Sequence, residues 1–156
     1  MPAIHPIQTD QMPALRRLLA AYILEWDPDE DPDQYWHEDY WTAFRAGLAH
    51  GTLAILLVWP QERGEGEPIG FAIARVEPAW YRASWVMGIV EEFYIAPAYR
   101  RRGLGRALAD RAAAQLHDMG ATGISAYVLR RNTRALQFWQ RIGFSIEVHQ
   151  LYRRTE

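Results

Sequence analysis

The sequence predicts an α/β (α+β) domain built on a mixed sheet, and three observations carry that expectation. Strand-type and helix-type segments follow one another in the order β-α-α-β-β-β-α-β-α-β, with no internal repeat. The 156 residues are 49% apolar and include seven tryptophans, enough to bury the core of one domain over residues 1–156. Between a strand and a helix lies Arg100-Arg101-Arg102-Gly103-Leu104-Gly105, a glycine-bearing turn that opens the helix.

The elements read in order as follows. Ala3 to Gln8 is a first short strand. Thr9 or Asp10 caps a helix that tolerates Pro13 in its first turn, buries Met12, Leu15, Leu19 and Tyr22, and fades near Glu25. Residues 25–39 hold eight acids in fifteen positions, and two prolines start this stretch as a loop. Asp31-Pro32 has the form of an N-cap followed by proline, so a second helix begins there, carries Trp36, Tyr40, Ala43 and Phe44 inward, and ends near Gly47. Thr52 to Trp59 and Ile69 to Val76 form a hairpin around the polar turn Gln61 to Pro68. Trp85 to Ile95 is a longer strand that Pro97 ends, since proline has no N–H for a ladder bond. A helix from about Gly103 to Asp118 stops at Gly120. Thr122 to Leu129 is a strand, Asn132 caps a short helix closed by Gly143, and Phe144 to Tyr152 is a final strand.

Composition narrows the chemistry. The chain has no cysteine, which removes disulfides, thiolate metal sites and a cysteine nucleophile. His5, His37, His50, His117 and His149 show no ligand spacing, so no metal is implied. The longest apolar run, Leu53 to Trp59, is too short for a membrane span, and no secretory signal is evident, so the expected location is the cytoplasm. Residues 1–99 carry 15 acids against 6 arginines, and residues 100–156 carry 4 acids against 11 arginines. The basic part suits a polyanion and the acidic part a cation. A nucleic-acid partner is disfavoured by the acidic first part and a net charge of −2.

A glycine-rich turn that opens a helix presents unpaired N–H groups at the positive end of the helix dipole, an anion site that usually takes phosphate. The chain has no lysine, which excludes a P-loop, and Leu108 stands where a dinucleotide-binding fingerprint needs a small residue. Read as [Q/R]-x-x-G-x-[G/A], the segment Arg100 to Gly105 after Phe93-Tyr94-Ile95 resembles the acyl-CoA pyrophosphate loop of the GNAT N-acetyltransferases. Asn132, Ala135, Phe138, Gly143 and Phe144 match the second signature of that family in spacing. The resemblance implies a mixed, mostly antiparallel sheet flanked by helices, and acetyl-CoA as co-substrate without a metal. It places the CoA contacts on Phe93, Tyr94, Ile95, Arg100, Arg101, Arg102, Gly103, Leu104, Gly105, Arg106, Asn132, Phe138 and Trp139.

The implied reaction is direct transfer of an acetyl group to a primary amine, for which an alkylammonium must first lose a proton. Glu91 and Glu92 are the candidate bases. Successive strand residues alternate faces, so only one should face the site; Glu91 is preferred, by analogy with family members. The family often has a tyrosine where this chain has Trp139, and an indole is no general acid. Tyr94 or Tyr127 is the alternative, or no acid is needed, because a free thiol has a pKa of about 8.5. Trp139 has a packing role as its simpler reading. Trp26, Asp27, Asp29, Tyr35 and Trp36 combine acids and aromatic rings in a way that suits an ammonium group, so they are the expected acceptor contacts. A solvated acidic loop explains the same charges. The acceptor itself, a small-molecule or peptide amine, stays open. So does the oligomeric state, although dimers are common in the family. The competing reading is an acyl-CoA-binding module without catalysis.

Overall fold

The computed structural model describes residues 2–61, 66–153 and 155. The strands are β1 (Ala3–Pro6), β2 (Leu53–Trp59), β3 (Gly70–Pro78), β4 (Val86–Ile95) and β5 (Gly123–Ala126). The helices are α1 (Met12–Trp26), α2 (Pro32–Tyr35), α3 (Glu38–Ala49), α4 (Leu104–Asp118) and α5 (Thr133–Arg141). The strands form one sheet in the order β1-β2-β3-β4-β5. The first three pairings are antiparallel, and β4 with β5 is parallel, so the sheet is mixed and mostly antiparallel.

Each face of the sheet has its own core, because strand side chains alternate. On one face Ile55, Leu57, Phe71, Ile73 and Tyr94 meet Leu15, Leu19 and Ile23 of α1 and Trp41 and Phe44 of α3. On the other face Leu56, Val58, Ala72 and Val90 meet Leu104, Leu108, Ala112 and Leu116 of α4 and Trp139 of α5. Gly88 lets α4 lie close to the sheet: a Cβ there would stand 3.1 Å from the Leu116 side chain.

Four expectations need correction. Neither Thr9 nor Asp10 caps α1: both lie in a 3-10 turn, Thr9–Gln11, and Gln11 is the N-cap of the helix. The second helix is two helices, α2 and α3, interrupted at Trp36 and His37. Trp36 turns into the core, and its carbonyl accepts the Trp41 indole N–H at 2.8 Å instead of continuing the helical ladder. The strand expected over 122–129 ends at Ala126, because its partner β4 bends at a bulge just past Val90. The expected final strand, Phe144 to Tyr152, does not form. Phe144 is held by its N–H on the Trp139 carbonyl and by ring contact with Trp139, but residues 145–153 are exposed. The neighbouring edge, four-residue β5, offers a short template, and Glu147, His149 and Gln150 favour solvent. The hairpin turn expected over Gln61 to Pro68 falls partly on residues 62–65, outside the described residues. Among the described residues, no helix is long and apolar enough to cross a membrane.

Candidate active site

The loop between β4 and α4 has the backbone of an anion cradle. Arg101 and Gly103 both take left-handed conformations, with φ of 61° and 79°. Gly103 is the N-cap of α4, and among the described residues no side chain caps the first turn of that helix. The N–H groups opening α4 therefore point outward at the positive end of the dipole. Gly105 serves a different need. A Cβ on it would lie 3.2 Å from Cε2 of Phe138, so its lack of a side chain lets α4 and α5 approach. Arg101 and Arg102 are exposed beside the cradle, Arg106 pairs with Asp110 at 3.2 Å, and Leu104 is buried beneath.

Next to the cradle the sheet opens. The β4–β5 ladder ends at Val90↔Ala126, with one further bond from Tyr127 N–H to the Val90 carbonyl, whereas β4 runs on to Ile95. Among the described residues, the edge of β4 from Glu91 to Ile95 thus has no strand partner on that side. Such an edge offers main-chain groups to an extended ligand. Phe93 lines this region, stacked on Phe138 with ring centroids 5.6 Å apart and edge-on to Trp139 at 5.0 Å. Trp139 itself is 5% exposed, wedged among Phe93, Phe138 and Phe144. Asn132 caps α5, its carbonyl oxygen accepting from the Ala135 N–H at 3.0 Å.

The two glutamates sit at a β-bulge. Ile73 pairs with Glu92 and Ala74 with Val90, leaving Glu91 as the extra residue. The expected alternation fails here for that reason. Glu92 shares the Ile73 side, toward α1 and α3. Glu91 turns to the same side and pairs with Arg75, which also pairs with Glu77. Among the described residues, Glu92 has no cationic partner. The Tyr22 hydroxyl lies close to it. Burial lifts the Glu92 carboxyl above its ordinary pKa; the nearby Tyr22 hydroxyl works against this and the Glu91 charge adds to it. Burial, with Glu92 and Glu91 nearby, pushes the Tyr40 phenol up to about 12. Burial and Glu92 likewise push Tyr22 well above the ordinary phenol range. Both tyrosines therefore remain protonated donors at neutral pH.

Aromatic rings cluster near this carboxylate, with Tyr22 of α1 and Tyr40 of α3 beside it. Tyr22 packs on Trp26, Phe71 and Tyr94 at 6.4, 5.9 and 5.8 Å between centroids. Tyr35 lies against Trp36, and Trp36 against Tyr40 at 4.8 Å. Trp36 is buried, with its indole N–H unpartnered among the described residues, while Tyr35 is half exposed. Asp27 and Asp29 are exposed at the end of α1, joined by an Asp29 N–H to Asp27 carboxylate bond of 3.3 Å. Tyr94 is buried on the α1 face, and burial raises its pKa. Tyr127 projects into solvent. Ile95 is buried and gives its carbonyl to the Arg100 Nε at 2.7 Å; the rest of that guanidinium grips Glu25.

Four residues that shape the site escaped the sequence reading: Tyr22, Tyr40, Arg75 and Glu25. The signals were present. Arg75 continues the inward phase of Phe71 and Ile73, where a charge needs a partner. Tyr22 and Tyr40 are phenols on otherwise apolar helix stripes.

A sequence model described as "Acetyltransferase (GNAT) family" matches residues 12–144. No curated protein sequence matches the chain. Among solved structures, the aminoglycoside acetyltransferase AAC(6')-Iy with a CoA–acetylneamine bisubstrate analogue is 18% identical, with a TM-score of 0.77 over 100% of this chain and 99% of that one. A transcriptional regulator from Bacillus halodurans C-125 is 17% identical, with a TM-score of 0.80 over 99% and 100%. An aminoglycoside acetyltransferase from an uncultured soil metagenomic sample is 18% identical, with a TM-score of 0.76 over 100% and 99%. The structural likenesses are in fold, whereas the sequence match spans both glycine-bearing signatures. The chain belongs to the acetyltransferase (GNAT) family, N-acetyltransferases that take their acetyl group from acetyl-CoA.

Proposed function

We propose that the protein acetylates a primary amine of a cationic small molecule by direct transfer, with Glu92 as the general base. The observation that supports this most is the setting of Glu92. It is a carboxylate of raised pKa without a cationic partner among the described residues, on the open part of β4 and beside the Tyr22 and Tyr40 phenols. A base whose pKa approaches the working pH is the more effective one. Glu91 is occupied by Arg75, which makes it the weaker candidate.

In this reading the acetyl-CoA diphosphate sits on the N–H groups of Gly103, Leu104, Gly105 and Arg106, with Arg101 and Arg102 as counter-charges. The pantetheine arm runs along the main chain of Phe93, Tyr94 and Ile95, against Phe138. Asn132 holds the start of α5 in place. The amine nitrogen attacks the thioester carbonyl, so a C–N bond forms and the C–S bond breaks. The amine proton passes to Glu92, directly or through water. A backbone N–H on the open edge of β4 meets the oxyanion. The thiolate leaves unassisted, consistent with a thiol pKa of about 8.5 and with Trp139 locked in packing.

The acceptor class follows from the chemistry around Glu92. Tyr35 and Tyr40 offer ring faces, with Trp36 buried behind them, and Trp26, Asp27 and Asp29 form the lip, which together suit an ammonium-rich molecule. Aminoglycosides fit this description, as does the name of two structures of similar fold. Thiol release from acetyl-CoA over neamine, spermidine and an N-terminal peptide tests the class. The polycations should have the lowest KM, and Asp27→Asn with Asp29→Asn should raise it several-fold. Best turnover on the peptide, indifferent to those changes, would overturn the assignment.

A further inference from the structure

Arg100 opens the phosphate-loop pattern, yet its side chain makes other contacts. Its Nη1 and Nη2 donate to the two carboxylate oxygens of Glu25 at 2.8 and 2.6 Å, and its Nε donates to the Ile95 carbonyl at 2.7 Å. The guanidinium also lies 5.6 Å from the centre of the Tyr94 ring. All these partners lie on the α1 side of β4 or at its end. Glu25 stands in the last turn of α1, where the helix dipole disfavours a negative charge, and that turn holds no basic residue of its own. Arg100 supplies the missing cation across 75 residues of sequence. Arg134 of α5, 4.0 Å away and mostly exposed, adds a weaker one.

A single exposed ion pair contributes little to stability. This pair is bidentate, its side chains are only 25% and 32% exposed, and a third bond ties it to the backbone of β4. Its consequence is geometric. Tyr22 lies three residues before Glu25, on the same face of α1. We infer that Arg100 is a positioning residue and not a diphosphate ligand: with Glu25 it pins the last turn of α1 to the end of β4 and so holds Tyr22, packed on Phe71 and Tyr94 of the same sheet face, beside Glu92. The inference rests on Glu92 being the base.

Several groups face Glu92 from the surrounding elements. They are Tyr22 from α1, Tyr40 from α3, and Glu91 with its Arg75 partner from the sheet. Of these, Tyr22 is the one whose helix turn Arg100 grips.

The test reads Glu92 itself, by carbon-13 NMR titration of its carboxyl, assigned with Glu92→Gln. Calorimetry with CoA is the second measurement, and neither requires turnover. A purely electrostatic influence would move the midpoint in opposite directions for the two partners, down for Glu25→Gln and up for Arg100→Gln. Loss of positioning moves it up for both, as it does for Tyr22→Phe, and the double variant moves it no further than either single one. CoA affinity then stays within fivefold of the parent for Arg100→Gln. Glu25→Asp keeps the charge and shortens the reach, so it should give a smaller upward shift even if a neutral variant folds poorly. Opposite shifts, an unmoved midpoint, or a loss of CoA affinity beyond fivefold confined to Arg100→Gln would overturn the inference. Failure of the base assignment would appear separately, as full turnover by Glu92→Gln.

Discussion

Glu91 and Glu92 are consecutive in the chain, yet both lie on the face of β4 covered by α1 and α3, because Glu91 is the unpaired residue of a bulge opposite Ile73 and Ala74. The bulge divides their roles. One carboxylate is paired with Arg75, and the other sits beside the Tyr22 and Tyr40 phenols with no cation paired to it among the described residues. We expect Glu92→Gln to lower turnover about a hundredfold, within the range for loss of a general base. The acid limb of the pH–rate profile should vanish with it. Glu91→Gln should cost a few-fold at most, and its acid limb should move toward lower pH, because the like charge that raises Glu92 is gone. Thiol release measured against pH checks both.

The same carboxylate ties stability to pH. Its pKa is higher in the folded protein than in the unfolded chain, so between the two values the folded state binds more protons. Its contribution is fully present below the unfolded carboxylate pKa and is lost as pH rises through the folded one. Glu92→Gln removes the cost of ionising a buried acid, so the variant should melt higher than the parent at neutral pH while being less active. The gain should shrink as pH falls below the ordinary carboxylate range. Melting temperature across pH reads this directly, and a lower Tm for the variant at neutral pH would contradict it.

Gly103 tests the cradle. Its φ of 79° is left-handed, and no atom lies within 4 Å of where a Cβ would stand. Gly103→Ala should therefore cost about 1–2 kcal/mol from backbone conformation alone. Relaxation toward an ordinary φ would turn the first N–H groups of α4 away, and CoA affinity by calorimetry should fall about tenfold. Gly103→Glu should block binding through charge as well.

Trp139 separates packing from catalysis. It is 5% exposed among Phe93, Phe138 and Phe144. Trp139→Ala should cost about 3–5 kcal/mol, as large aromatic deletions do. Trp139→Phe keeps most of the packing, and its pH–rate profile should match the parent, because the indole has no proton to give near neutral pH. A lost basic limb in Trp139→Phe would argue for a role in leaving-group chemistry.

Local signals were read well where one element sets its own conformation. Asn132 caps α5, Asp31 caps α2, and Pro97 ends β4, as their side-chain chemistry requires. Gly103 is left-handed as a turn glycine should be. Errors arose where a partner decides. The segment 144–152 has strand-like residues but needs an edge to pair with, and the helix over 31–47 breaks because Trp36 finds better burial inside.

By itself the sequence determined the order of elements, the anion-binding turn and the family, because each rests on residue type and short spacing. Tertiary structure alone decided which glutamate is left unneutralised. Strand alternation predicts opposite faces for Glu91 and Glu92, and only pairing with β3 creates the bulge that puts them together beside Arg75. It also decided that Arg100, written into a phosphate motif, holds Glu25. Those partners lie 75 residues apart, and their meeting depends on how α1 packs across the sheet.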